Sequence, residues 1–325
     1  MKRLLKIVGV LAAVLVVAFF VLRTPDTDPV EMRAKYGAAP SQFVELPNGA
    51  KVHLRDEGPR DAPAIILLHG SNSDLHTWQP WVDGLKADYR VIRFDQPGHG
   101  LTGAIPGGDY SIPTYVETID EVADALGLER FILGGNSMGG GHTLHYALAH
   151  PERVQAMILV DASGPPRMQS ADKDEGGNIG FTIAPTPVLN QLMKHITPRS
   201  VVEQSLSQSV SNQAIVTSQA VDRYWELLRY PGNREATIFR FSQDYEPLTE
   251  AQLSGLAMPA LILWGEEDRL IPLSAGQWLN EKLPDAEFHA LKGIGHLPME
   301  EAPEDSLAAL RGWLVEGGFT KTTGN

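Results

Sequence analysis

The 325-residue chain has no cysteine, which excludes disulfides, thiolate catalysis and cysteine metal sites and leaves the redox compartment open. It is also short of basic residues. Lys and Arg total 27 against 40 Asp and Glu, a net charge of −13. A nucleic-acid partner needs a basic face, so this balance argues against one. No G-x-G-x-x-G joins a strand directly to a helix and no G-x-x-x-x-G-K-[ST] occurs, which disfavours nucleotide binding. No H-E-x-x-H or H-x-x-E-H spacing gathers the ten histidines into a metal site. Neither a metal nor an organic cofactor is expected.

What is present is ordinary for a globular chain: 43% hydrophobic and 21% charged residues. That length can bury one large α/β core plus an insertion. The stretch that organises it is Phe131-Ile132-Leu133-Gly134-Gly135-Asn136-Ser137-Met138-Gly139-Gly140. An apolar run, read as a buried strand, stops at glycines, and a helical segment from His142 to Ala149 follows the serine. Gly135-Asn136-Ser137-Met138-Gly139 fits the G-x-S-x-G nucleophile elbow, which lifts a serine hydroxyl clear of the sheet. The turn needs glycines because strand and helix approach closely around a strained serine. It also aims the N–H of Met138 at any anion forming beside the hydroxyl.

The amino terminus carries an apolar run from Ile7 to Leu22, preceded by Lys2, Arg3 and Lys6. Phe19 to Arg23 occupy the place where a small-x-small cleavage site would sit, so an uncleaved signal anchor is expected over a removed signal peptide. The cations ahead of the run imply a single-pass membrane protein with an extracytoplasmic globular part; Arg23, Arg33 and Lys35 beyond it pull the other way. The secreted form is the alternative.

Residues 24–40 show no clear period and read as a linker. Two alternating stretches flank Pro47-Asn48-Gly49 and predict a hairpin. Continuous apolar runs then recur at Ala64 to Leu68, Val91 to Phe94, Phe131 to Leu133, Met157 to Val160 and Leu261 to Trp264, separated by helix-like segments such as Val116 to Leu126. That alternation predicts a mostly parallel sheet flanked by helices. It breaks between Gly164 and Leu256, where only helical patches appear (Val201 to Ser211, Gln219 to Tyr230), so a helical cap over the strand ends is expected. The domain reading is 1–23 anchor or signal peptide, 24–40 linker, 41–163 first part of the core, 164–256 cap, 257–318 second part of the core and 319–325 tail.

An activated serine needs a base and a group to orient that base. Asp268 lies in a strand-end loop after Trp264, and His296 in another after Leu291. The order serine, acid, histidine is the one used with the elbow, and in open α/β sheets such sites gather at carboxyl strand ends. Glu266 or Glu267 would be the acid if the strand end were displaced by a residue, and Asp161, ending the Met157 to Val160 strand, is the main rival. His69-Gly70-Ser71-Asn72 follows the Ala64 strand, and Ser71 is the expected source of the second oxyanion donor. His69, His99, His142 and His145 are read as structural.

The conjunction of His69-Gly70, Asp95 to Gly100, Gly135 to Gly140, His150 to Val154, Gly265 to Asp268 with Ile271-Pro272, and Gly295-His296 resembles the α/β-hydrolase fold superfamily, in the branch with an HG oxyanion motif and a helical cap. The resemblance implies Ser137, Asp268 and His296 as catalytic triad, with Met138 in the oxyanion hole. Ser137 separates the chain from haloalkane dehalogenase and epoxide hydrolase relatives, whose nucleophile is an aspartate. Gly135 to Gly140 also looks like the carbon–carbon hydrolases of aromatic ring cleavage, which usually place a tryptophan after the catalytic histidine; here Leu297-Pro298 follow. The expected function is therefore a serine hydrolase acting on carboxylic esters of small or medium apolar substrates. A ring-cleavage C–C hydrolase or a cofactor-free perhydrolase is the alternative. A non-catalytic ligand-binding protein on the same fold would be favoured by loss of a triad member, and all three candidates are present.

Overall fold

A computed structural model describes residues 2–168, 178–183, 186 and 188–320. Eight strands form one sheet: β1 (Gln42–Glu45), β2 (Lys51–Glu57), β3 (Ala64–Leu68), β4 (Arg90–Phe94), β5 (Phe131–Asn136), β6 (Val154–Val160), β7 (Ala260–Gly265) and β8 (Ala286–Leu291). Their order is β1-β2-β4-β3-β5-β6-β7-β8. β1 and β2 form the expected antiparallel hairpin, β2 pairs antiparallel to β4, and the rest pair in parallel.

The apolar runs are continuous because both faces of the sheet are covered. Ile66 and Leu68 of β3, Leu133 of β5 and Ile262 of β7 pack into one core cluster. Ile65, Leu67, Ile132 and Leu261 point the other way, into a second. The covering helices are α3 (Gln79–Leu85), α4 (Ile112–Ala125), α5 (Met138–Ala149), α12 (Leu273–Lys282) and α14 (Pro303–Glu316); the short α13 (Pro298–Glu301) follows the β8 loop. The chain reverses direction across the sheet at β3, which has β4 on one side and β5 on the other. A crevice opens at the carboxyl ends of strands at such a switch point.

Between β6 and β7 the described residues hold helices only: α6 (Ile179–Ile183), α7 (Leu189–Met193), α8 (Arg199–Ser209), α9 (Ser218–Leu228), α10 (Asn233–Phe241) and α11 (Glu250–Ser254), with one 3-10 turn. Residues 169–177 of the expected cap, and the tail at 321–325, lie outside the described residues.

The amino terminus departs from the expectation in two places. The anchor segment forms α1 (Lys2–Leu22), but among the described residues no helix is long and apolar enough to cross a membrane. The uninterrupted apolar run from Ile7 to Leu22 rises only about 24 Å, against a hydrocarbon core of about 30 Å, and three cations occupy the turns before it. Side chains of seven α1 residues (2, 4, 5, 8, 11, 12 and 15) lie outside the description. Secondly, residues 24–40 are not a featureless linker. They contain α2 (Pro29–Tyr36), capped by the Asp28 carboxylate, which accepts from the N–H groups of Val30 and Glu31. Asp28 followed by proline at the first helical position is a start signal that a search for periodicity passes over. The segment is strapped to the cap: Arg234 donates to the Thr24 carbonyl (2.9 Å) and the Asp26 carboxylate (2.6 Å), and Lys35 and Tyr36 both donate to Glu226 (2.7 Å each).

Candidate active site

Ser137 joins β5 to α5 with φ 54° and ψ −118°, a conformation that costs a residue with a β-carbon on the order of 1–3 kcal/mol. It is held there from both sides. Its N–H donates to the Val160 carbonyl of β6 (3.0 Å), and its carbonyl accepts from Ser163 (2.9 Å) and Gly141 (3.1 Å). The spacing of the glycines follows from contact. A β-carbon on Gly139 would sit 2.3 Å from the Leu68 carbonyl, so α5 could not dock against β3 with any larger residue there. Gly70, after β3, also passes close; a β-carbon there would lie 3.1 Å from that of Ser137.

The loops after β7 and β8 bring Asp268 to His296. One carboxylate oxygen of Asp268 lies 2.7 Å from His296 Nδ1, and the other accepts from the N–H groups of Leu270 (2.7 Å) and Ile271 (3.1 Å). The acceptor role of Asp268 places the imidazole proton on Nδ1 and leaves Nε2 as the nitrogen free to take a proton. Ser137, Asp268 and His296 are 7%, 6% and 4% exposed, so the pair works away from bulk water, where its interactions are stronger. Ser137 and His296 line one pocket together with Ser71. The three residues expected as nucleophile, acid and base thus meet at one crevice, and Ser71 joins them. Glu266 and Glu267 are exposed, as solvated residues would be. Asp161, the rival acid, is fully buried behind Asp268; Asp161, Asp268 and His296 each offer an atom within 4.8 Å of the others.

Four supporting residues had no sequence signal of their own. Asn136, the unspecified position of the elbow, donates to the carbonyls of Val160 (3.2 Å) and His296 (3.0 Å), so it pins the histidine loop to β5. Glu301 accepts from the N–H groups of Gly295, Leu297, Ser211 and Asn212, all between 2.8 and 3.1 Å, and thereby ties the same loop to the cap. Arg223 of α9 bridges Asp74 of the core (3.2 Å) and Glu300 (2.9 Å), a second latch on the cap. Arg240 of α10 reaches the Ser71 side of the pocket: one Nη donates to Ser71 Oγ (2.7 Å) and contacts Met138 Sδ (2.9 Å), while its buried Nε has no hydrogen-bond partner among the described residues.

His69 and His142 brace the loops around the site. The Gln96 N–H donates to His69 Nε2 (3.0 Å), which leaves His69 Nδ1–H to donate to the Gly70 carbonyl (2.8 Å) and set the path of the HG loop. His142 bonds Gln96 Oε1 (2.6 Å) and stacks on Tyr115 at 4.1 Å. Burial, with the Arg240 charge adding to it, holds His69, His99 and His142 below the usual imidazole range, which favours the neutral ring.

The description alpha/beta hydrolase fold matches residues 63–303, which is well over half of the chain. The protein belongs to that family. Two relatives of this hydrolase are 2-hydroxy-6-oxononadienedioate/2-hydroxy-6-oxononatrienedioate hydrolases. The one from Comamonas testosteroni is 29% identical over 76% of this chain and 85% of its own. The one from Paraburkholderia phymatum is 30% identical over 82% and 93%. Among solved structures, a membrane phospholipase A described as a bacterial virulence factor superposes with a TM-score of 0.74 at 25% identity, covering 98% of the hydrolase and 99% of the phospholipase.

Proposed function

We propose that this hydrolase works by nucleophilic catalysis. Ser137 attacks a substrate carbonyl, and His296 Nε2 takes the serine proton and returns it to the leaving group. Asp268 holds the imidazole tautomer and stabilises the charged ring, and water activated by His296 then releases the acid. The backbone N–H groups of Ser71 and Met138 stabilise the oxyanion. The 2.7 Å bond between Asp268 and His296, in a pocket shared with Ser137, carries this reading.

We infer that the bond cleaved is the carbon–carbon bond of an oxo-dienoate, in place of the ester expected from sequence. Breaking such a bond requires a leaving carbon that accepts an electron pair, so the substrate must be a ketone conjugated to an electron sink. The relatives are named for substrates of that kind, and those substrates are anions. The site suits an anion. Arg240 stands one side chain behind the pocket wall, bonded to Ser71 and Thr237, which line it, and no carboxylate pairs with it among the described residues. Ester hydrolysis is the second reading. The cap wall made by Val201, Val202, Leu206 and Leu228 is apolar, Leu297 stands where ring-cleavage enzymes usually have tryptophan, and the phospholipase superposes along nearly the whole chain. The two separate when a 2-hydroxy-6-oxo-dienoate and a ladder of p-nitrophenyl esters are assayed side by side. The C–C reading predicts a kcat/KM at least about 10²-fold higher for the dienoate, and Arg240→Met should raise KM for it alone. Higher kcat/KM for any ester, with the dienoate unreacted, would reject it.

We further infer that α1 holds the hydrolase at a membrane. Ile7, Val10, Val14, Val17 and Phe20 are each more than half exposed, an apolar surface that water does not favour, and Lys2, Arg3 and Lys6 add charge that anionic headgroups attract. The full chain is expected to sediment with membranes and a chain starting at residue 24 to stay in the supernatant. Equal partition of the two would refute the anchor.

A further inference from the structure

Asp161 is a buried carboxyl at the site that this mechanism leaves unused. It follows β6 directly with φ 44°, a left-handed conformation that an aspartate adopts only at a cost. Two bonds to β7 hold it there: its N–H donates to the Leu263 carbonyl (3.0 Å), and its Oδ1 accepts from the Gly265 N–H (2.9 Å). Its Oδ2 is buried without a hydrogen-bond partner among the described residues. The titratable groups that face it are Asp268 from the β7 loop, His296 from the β8 loop and, further off, the carboxylate of Glu301. Burial first, and then the charge of Asp268, push its carboxyl well above the usual carboxylate range. Two carboxylates this close cannot both carry full charge cheaply, and Asp268 is the one that accepts two backbone N–H groups and the imidazole.

We propose that Asp161 is a positioning residue of the triad: a neutral carboxylic acid whose O–H is directed at Asp268, and a reserve acid that takes over the imidazole when Asp268 is lost. In the intact site the shared proton fixes the orientation of Asp268 toward His296. When Asp268 is removed, the neighbouring negative charge goes with it. Asp161 then gives its proton to solvent, and its carboxylate moves the remaining distance to accept from His296 Nδ1–H. The proposal rests on the triad reading above.

The test is a double-mutant cycle read on kcat/KM across pH, with each protein checked for cooperative melting. Asp161→Asn, which retains an N–H donor but cannot ionise, is expected to lose roughly fivefold. Asp268→Ala should lose only about 10²-fold, because Asp161 substitutes, and its activity should climb with pH as Asp161 ionises. The double variant should lose about 10⁴-fold, the full loss typical of a missing triad acid, and lack that climb. A double loss no greater than the product of the single ones, or an Asp268→Ala profile without the climb, overturns the proposal. If the alanine pair does not fold, the Asp268→Asn pair gives the same comparison. Failure of the underlying triad reading looks different: Asp268→Ala would be as active as the parent while Asp161→Asn was inactive.

Discussion

Ser137→Ala is expected to lower kcat by about 10⁶-fold, with KM changed only a few-fold. The reason lies in the division of labour at the site. The substrate is held by the pocket walls, mostly cap side chains and the Gly70 to Ser73 loop, and these are untouched by loss of one hydroxyl. The reaction loses its nucleophile entirely. What remains is whatever the oxyanion donors and His296 achieve with water, about 10³-fold over the uncatalysed rate in comparable serine enzymes. The folded state should persist, because the bonds holding residue 137 come from its backbone, with Val160, Ser163 and Gly141. Steady-state kinetics with a thermal melt of both proteins checks this. A variant with kcat within tenfold of the parent would mean that Ser137 is not the nucleophile.

Stability is expected to fall steeply with acid, beginning at a pH where carboxylates have not yet titrated. His69, His99 and His142 are buried, with folded pKa values below the 6.5 of the unfolded chain. A depressed folded pKa gives stability that is present above the unfolded value and is lost as pH falls toward the folded one. Below about pH 6.5 the unfolded chain therefore takes up protons at these three positions more readily than the fold does, and stability is lost as pH falls. Asp161 acts in the opposite sense, since it keeps in the fold a proton that the unfolded chain releases above pH 3.8. Three imidazoles act against one carboxyl, so stability is expected to decline from pH 7.5 through pH 6 to pH 5. Urea midpoints at pH 7.5, 6 and 5 report it, and a flat series would mean that these histidines charge inside the fold. Asp74 and Asp95, held below the usual carboxylate range, add their losses only at still lower pH.

The parts of this account that sequence made legible are those whose physics is local. The elbow could be read because a strained serine between strand and helix demands glycine at fixed offsets, and the contact of Gly139 with Leu68 is the close approach that demand anticipates. Asp268 and His296 were legible because each sits just past an apolar run, where a sheet of this kind collects its site residues. The supports were not. Glu301 gathers N–H groups from Ser211 and Asn212, some 90 positions earlier in the chain. Arg240 meets Ser71 across 169 positions. Their partners are chosen by the way the cap settles on the core, and neither residue type nor spacing records that. The same holds for residues 24 to 36, whose polar groups find Arg234 and Glu226 only once the cap is in place. Asp161 was read as an alternative to Asp268; in the fold the two stand side by side.

The most direct test of the central claim is to expose the folded, full-length hydrolase to a fluorophosphonate and map the adduct by mass spectrometry, beside His296→Ala. A serine hydroxyl of ordinary reactivity does not react at a useful rate; one whose proton is taken by an oriented imidazole does. The account predicts a single adduct on the peptide carrying Ser137, with labelling slowed at least about 10³-fold in His296→Ala. No adduct on Ser137, or equal labelling of the two proteins, would contradict it.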